Sequence, residues 1–135
     1  MILMVCIDDM SGMMFNHRRQ SQDRVLRARM LEITANSKLW VTPYTQRQFG
    51  EDAPVTVCQA PWQCAGVGEY YFAEDGEVSL DGVEAVYLYR WNRRYPSDRK
   101  FTLDLAAAGF ALYKSEEFAG YSHECITEEI YKKET

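Results

Sequence analysis

Met1-Ile2-Leu3-Met4-Val5-Cys6-Ile7, halted by Asp8-Asp9, is the stretch that decides the fold. An unbroken apolar run of this length, closed by two acids and then Gly12, predicts a strand buried on both faces. Such a strand lies inside a parallel or mixed sheet covered on each side. The rest of the chain must therefore supply partner strands and at least one amphipathic helix.

That helix is predicted over Gln22 to Thr34, with Ser21 as its N-cap and Asp23 in the first turn, where a carboxylate favours the helix dipole. Val25 or Leu26, Met30 and Ile33 form its buried stripe, and Asn36-Ser37 ends it. Between the first strand and this helix, Met10 to Arg19 reads as irregular. Lys38 to Thr42 is a short strand stopped by Pro43, and Tyr44 to Phe49 a single helical turn. Val55 to Cys58 and Glu69 to Ala73 are further short strands, separated by a loop with at most one turn. Glu74 to Val83 is acidic and turn-rich. Glu84 to Trp91 is the clearest internal strand, and Asn92 to Arg99 a polar loop. Phe101 to Leu105 reads as short extended structure, and Phe110 to Ser115 with Glu124 to Lys132 as a C-terminal hairpin. Strands alternating with one firm helix predict a single α/β domain over residues 1–135, with a mixed central sheet and few covering helices.

Composition bounds the function. At 47% hydrophobic and 13% aromatic residues the chain belongs with ordered globular proteins. A net charge of −5 disfavours indiscriminate attraction to nucleic acid or membrane. No run approaches a membrane span, and Met1 runs straight into a strand with no basic leader, so a cytoplasmic protein with reduced thiols is expected. The four cysteines lack zinc-type spacing. Cys6 and Cys125 read as buried thiols, and Cys58 with Cys64 as a pair only if their Cα atoms approach. His17 with Asp8 and Asp9 is the one cluster with ion-binding chemistry, set against solvated strand and loop ends. No metal site is expected.

The order and spacing of several segments resemble the dihydrofolate reductase family. Met-Ile-Leu-Met-Val-Cys-Ile followed by Gly12-Met13 resembles its first strand and the loop after it. Ser21-Gln22-Asp23 falls where the family carries its pocket carboxylate. Lys38 to Phe49 resembles the second strand and following turn, with Thr45 where the family contacts cofactor phosphate. Val86-Tyr87-Leu88-Tyr89, Ser97 to Phe101 and Tyr121 to Lys133 resemble the family's later strand, loop and final hairpin. The resemblance covers roughly Met1 to Phe49 and Ala85 to Lys133. It implies a substrate cleft holding Cys6, Asp23, Arg27 and Tyr89. Asp23 is then either a ligand-binding carboxylate or a helix N-terminal acid, with Arg27 one turn away as an ion-pair partner.

Two departures bear on chemistry. Where the family keeps glycines against the cofactor pyrophosphate, this chain has Ala73-Glu74-Asp75. Like charges about 4 Å apart cost roughly 1 kcal/mol even at the dielectric of water, and more near protein. Thr42-Pro43 replaces the Gly-Arg pair of the other phosphate turn, which removes a cation and a backbone donor. The expectation is therefore no NADPH binding and no NADPH-dependent reduction, with a small anionic or nucleotide-like ligand, or a protein partner, in the old cleft. A second class of function rests on Arg90-Trp91-Asn92-Arg93-Arg94-Tyr95. Arginine interleaved with aromatics suits single-stranded nucleic acid, as a binder or a nuclease. A third is a non-catalytic interaction module with Trp62 or Trp91 exposed.

Overall fold

The computed structural model describes residues 1–134. Thirteen elements follow in order: β1 Ile2–Ile7, β2 Gly12–Phe15, β3 Arg18–Arg19, α1 Arg24–Ile33, β4 Leu39–Val41, α2 Pro43–Phe49, β5 Thr56–Val57, α3 Pro61–Cys64, β6 Tyr70–Phe72, β7 Ala85–Arg90, β8 Arg99–Lys100, β9 Phe110–Phe118 and β10 Ile126–Lys133. Seven strands form one sheet in the order β5-β4-β6-β1-β7-β10-β9, and β3-β2-β8 form a small second sheet.

The first strand takes the central place its composition demands, with β6 and β7 hydrogen-bonded to it in parallel on either side. Its alternation divides the core. Leu3, Val5 and Ile7 pack on one face with Tyr71, Val86 and Leu88. Met4 points to the other, with Leu26, Met30, Leu39, Phe72 and Tyr89. The second face is the one covered by α1, through Leu26 and Met30. Each of those burials is worth about 1.5–3 kcal/mol. Val25 lies exposed and adds nothing comparable.

Strand β10 runs antiparallel to both β7 and β9, which makes the sheet mixed and forms the C-terminal hairpin. The sequence places the hairpin correctly but ends its first strand early, since β9 continues to Phe118. Three other expectations are corrected. Met10 to Arg19 is not irregular: β2 pairs with both β3 and β8, and left-handed Asn16 and His17 turn the chain between β2 and β3. Phe101 to Leu105 is not a strand, because the residues that pair with β2 are Arg99 and Lys100. The cap of α1 is Asp23 rather than Ser21, its carboxylate accepting from the amides of Val25 and Leu26.

Candidate functional site

In open sheets of this kind ligands collect beyond the carboxyl ends of the parallel strands. Here those ends are Asp8 after β1, Thr42 after β4 and Ala73 after β6, with Trp91 after β7. No helix follows β6; the segment from Ala73 to Glu84 runs as turns. Glu74 is buried at its start and held by Arg19, whose Nε and Nη2 donate to the two carboxylate oxygens at 2.9 and 3.2 Å. Burial pushes the Glu74 carboxyl above its ordinary range, and Arg19 works against that shift. Asp75 is exposed and accepts from the Thr42 hydroxyl at 2.7 Å.

Three carbonyls of this turn accept from side chains. Arg99 donates Nη1 to the Glu74 carbonyl at 3.3 Å and Nη2 to that of Gly76, and the Tyr71 hydroxyl donates to the Glu77 carbonyl at 3.0 Å. Gly76 is required by packing: a Cβ there would meet the Tyr71 hydroxyl and lie 2.8 Å from the Trp62 ring. At the end of β4, Pro43 opens α2 without an N–H, and the Thr45 amide is capped by Thr42 Oγ1 at 3.3 Å. Thr45 itself is fully buried.

Outside this turn lies an open groove of about 590 Å³ lined by Met14, His17, Tyr44, Asp75, Asp98 and Arg99. Arg19 lies over the Tyr44 ring at 4.4 Å, so one face of that aromatic is occupied. Asp98 is held by the Asn16 amide at 3.0 Å. The groove therefore exposes two carboxylates and the His17 ring, with the Arg99 guanidinium engaged by backbone.

On the inner side of Glu74 the cleft is nearly closed. Two voids of about 10 Å³ remain, both lined by Cys6, Ser21, Phe72, Glu74 and Trp91, one of them also by Asp23 and Arg27. That is room for about one water molecule. Burial, and then the charge of Glu74, raise the Cys6 thiol well above its ordinary pKa. Asp23 is saturated. Beyond its two helix amides it accepts from the amides of Tyr121 and Ser122 at 3.0 and 2.9 Å, and from His123 Nδ1 at 2.8 Å. Burial raises its carboxyl, but the bonds from His123, Tyr121 and Ser122 outweigh that and hold it well below the carboxylate range.

The other expected site residues are dispersed. Arg27 does not pair with Asp23; its Nη1 donates to Gln22 at 3.2 Å. Tyr89 does not open onto a cleft. It is fully buried, and its hydroxyl donates at 2.8 Å to Glu128, which Arg29 grips at 2.9 and 3.0 Å. Trp91 is buried against His123, with ring centroids 4.5 Å apart, so it is not the exposed stacking surface its neighbours suggest. Arg90 pairs with Glu129 at 2.8 Å, while Arg93 and Arg94 are exposed. Asp8 is not a solvated strand end: buried, it organises the turn after β1 by accepting from the amides of Met10, Gly12 and Tyr95. Among the described residues no group of three or more His, Cys, Asp or Glu is placed to hold a metal ion. None of their helices is long and apolar enough to cross a membrane. Cys58 and Cys64 bring their sulfurs together near the edge of the sheet.

One constellation has no counterpart in the sequence-based expectations. His123, through Nε2, meets Ser21 Oγ at 2.9 Å and the Tyr95 hydroxyl at 3.1 Å, while its Nδ1 is on Asp23. The residues come from the helix entry, the loop after β7 and the hairpin loop. The local clue is Ser122-His123, a polar pair at the tip of a hairpin whose strands pack on the sheet.

No protein-family model and no curated protein matches this sequence. Solved structures do match in shape. Dihydrofolate reductase from Enterococcus faecalis, complexed with NADP(H) and RAB-propyl, is similar with a TM-score of 0.69 at 9% identity, over 99% of this chain and 96% of that one. The chain therefore has a dihydrofolate reductase-like α/β fold carried by a strongly divergent sequence. The likeness reaches further than the sequence resemblance: the stretch between Phe49 and Ala85 lies on the same framework.

Proposed function

We propose that this chain is a reductase-fold binding protein that does not use NADPH, and that it takes a small ligand in the groove beside Tyr44, Asp75 and Arg99. The observation that carries this reading is the turn after β6. A pyrophosphate needs inward amides, commonly at a helix N-terminus, and cations free to meet it. In this turn the carbonyls of Glu74, Gly76 and Glu77 are engaged from within, the Asp75 carboxylate is exposed, no helix begins there, and Arg19 and Arg99 are engaged by Glu74 and by backbone. The residues present do not fit the dinucleotide. The sequence favours an anionic or nucleotide-like ligand; the exposed carboxylates of Asp75 and Asp98 favour a cationic head group over a phosphate.

Thermal-shift and calorimetric titration with NADPH test the first half, expected to give no shift and no heat. Tight NADPH binding, or NADPH oxidation with dihydrofolate, overturns it. For the second half, a panel of small aromatic amines and matched phosphate esters is titrated against wild type and Asp75→Asn. Amine binding weakened by the substitution supports the groove; phosphate preference overturns it. An interaction module has less support, because Trp91 is in the core and Trp62 packs against Tyr71 at 6.1 Å.

A further inference from the structure

The arrangement around His123 goes beyond ligand binding, and the geometry points to an acyl-transfer site in which Ser21 is nucleophile, His123 general base and Asp23 the group that orients it, acting on small carboxylic esters. Three distances define it. Ser21 Oγ lies 2.9 Å from His123 Nε2, His123 Nδ1 lies 2.8 Å from Asp23 Oδ2, and the Tyr95 hydroxyl lies 3.1 Å from the same Nε2. A nucleophile within hydrogen-bond reach of a base, itself oriented by a third group, is the signature of an activated hydroxyl, whatever fold carries it.

The chain of hydrogen bonds fixes the tautomer. Asp23 is ionised and can only accept, so His123 Nδ1 carries the proton. In the neutral imidazole this tautomer turns the Nε2 lone pair toward Ser21, where it can take the hydroxyl proton. The Trp91 ring, stacked on the imidazole at 4.5 Å and 25°, holds the plane in which both bonds form. The Tyr95 hydroxyl reaches both Nε2 at 3.1 Å and Ser21 Oγ at 3.5 Å, and so closes the cluster on its third side.

A purely architectural role explains only half of this. Capping α1 and pinning the hairpin loop require the Asp23 carboxylate and the Nδ1 side of the ring. They do not require a serine on Nε2, and Ser21 is not the cap. Ser21 is half-buried, whereas Asp23 and His123 are buried, so the nucleophile is the member of the set that solvent reaches. Arg27 lines the water-sized void beside Ser21, and an ester reaches Ser21 from its solvent-exposed side.

The step balances without a co-reactant other than water. Ser21 Oγ attacks the ester carbonyl carbon as its proton passes to His123 Nε2. The tetrahedral oxyanion collapses, the bond to the alkoxy group breaks, and the departing alcohol takes the proton from His123. Water then attacks the acyl-serine, its proton going to His123 and on to Ser21 as the carboxylic acid leaves.

The test is covalent labelling with a fluorophosphonate and with phenylmethylsulfonyl fluoride, read by intact mass and peptide mapping, beside hydrolysis of p-nitrophenyl acetate. The expected result is a single adduct on Ser21, lost in Ser21→Ala, and labelling and hydrolysis slowed by at least roughly 100-fold in His123→Gln. No adduct on the folded wild-type chain, an adduct elsewhere, or undiminished labelling of Ser21 in His123→Gln overturns the proposal. Should His123→Gln fail to fold, heat-denatured wild type replaces it. An adduct confined to the folded chain supports the site, and one formed equally by the denatured chain overturns it.

Discussion

His123 donates its Nδ1 proton to Asp23 across 2.8 Å and one hundred residues of sequence, joining the entry of α1 to the tip of the C-terminal hairpin. Asp23 also accepts the amides of Val25, Leu26, Tyr121 and Ser122, so one carboxylate terminates two elements at once. Removing it strands several buried donors. Asp23→Ala is expected to cost about 3 kcal/mol, the sum of a lost cap and unpaired partners, read as a lower urea midpoint with an unchanged slope. A loss within experimental error would show that the hairpin loop is held by other contacts.

The same carboxylate gives the fold an acid limit. Asp23 and Asp8 both have pKa values below the ordinary range; in each, burial raises the value but hydrogen bonds lower it further, from His123, Tyr121 and Ser122 in one and from Tyr95, Gly12 and Met10 in the other. A carboxyl whose folded pKa lies below its unfolded one stabilises fully above the unfolded value. That contribution is lost as pH falls through the folded value, because the unfolded chain then binds more protons. Glu74, raised by burial, pulls the other way. Urea midpoints should hold steady near neutrality and decline below the ordinary carboxylate range, less steeply in Asp23→Asn. Equal slopes in the two chains would remove Asp23 from the account.

Gly120 sits against this junction. A Cβ built on it would lie 2.6 Å from Asp23 Oδ2 and 2.9 Å from the His123 carbonyl. The second neighbour is backbone, tied by the Gly120 amide donating to that same carbonyl at 2.9 Å, and does not yield easily. Gly120→Ala should therefore destabilise by about 1–3 kcal/mol, the range for overpacking, and should weaken Ser21 labelling while leaving the sheet's circular dichroism intact. Unchanged stability would mean that the loop relaxes freely.

How much of this was legible follows from range. The β1 run, the clear β7 pattern and the final hairpin were readable because their information is local: apolar continuity, alternation and spacing. The β2–β3–β8 sheet was not, since β2 carries no alternation and its partners are two-residue strands. The Asp23 cap was missed by two positions because Ser21 is an equally good cap by residue type, and only the His123 side chain, brought by the hairpin, separates them. Sequence alone makes Glu74 an acid facing a ligand. Its Arg19 partner lies fifty-five residues away, and pattern alone carries no sign of that pairing.

The network on the α1 face supplies an independent test of the core. Glu128 is 3% exposed and is neutralised by Arg29, with the Tyr89 hydroxyl as third partner. Arg29→Ala leaves a buried carboxylate without its cation and should cost about 3 kcal/mol, whereas Tyr89→Phe removes one bond to a charged acceptor and should cost about 1.5–2 kcal/mol. The double variant Arg29→Met with Glu128→Leu should recover part of the first loss, as replacing both ions by apolar groups does elsewhere. Thermal unfolding of the four chains decides it. A double variant no more stable than Arg29→Ala would show that the ion pair is required as a pair.

Trp91 and the arginines beside it separate packing from recognition. Trp91 is 4% exposed and stacked on His123, so Trp91→Ala opens a cavity and should cost about 3–5 kcal/mol. Arg93 and Arg94 are exposed, and changing both to Ala should alter stability by less than about 0.5 kcal/mol each. Single-strand binding gains its affinity from aromatic platforms as well as from charge, and here the tryptophan of the loop faces the core. On a chain of net charge −5, two exposed arginines give a short-range attraction screened within about 8 Å at physiological salt. Fluorescence anisotropy with a single-stranded RNA should accordingly show no saturable binding at that ionic strength. Saturable, salt-sensitive binding that disappears in Arg93→Ala/Arg94→Ala would return recognition to this loop, with charge alone sufficient to drive it.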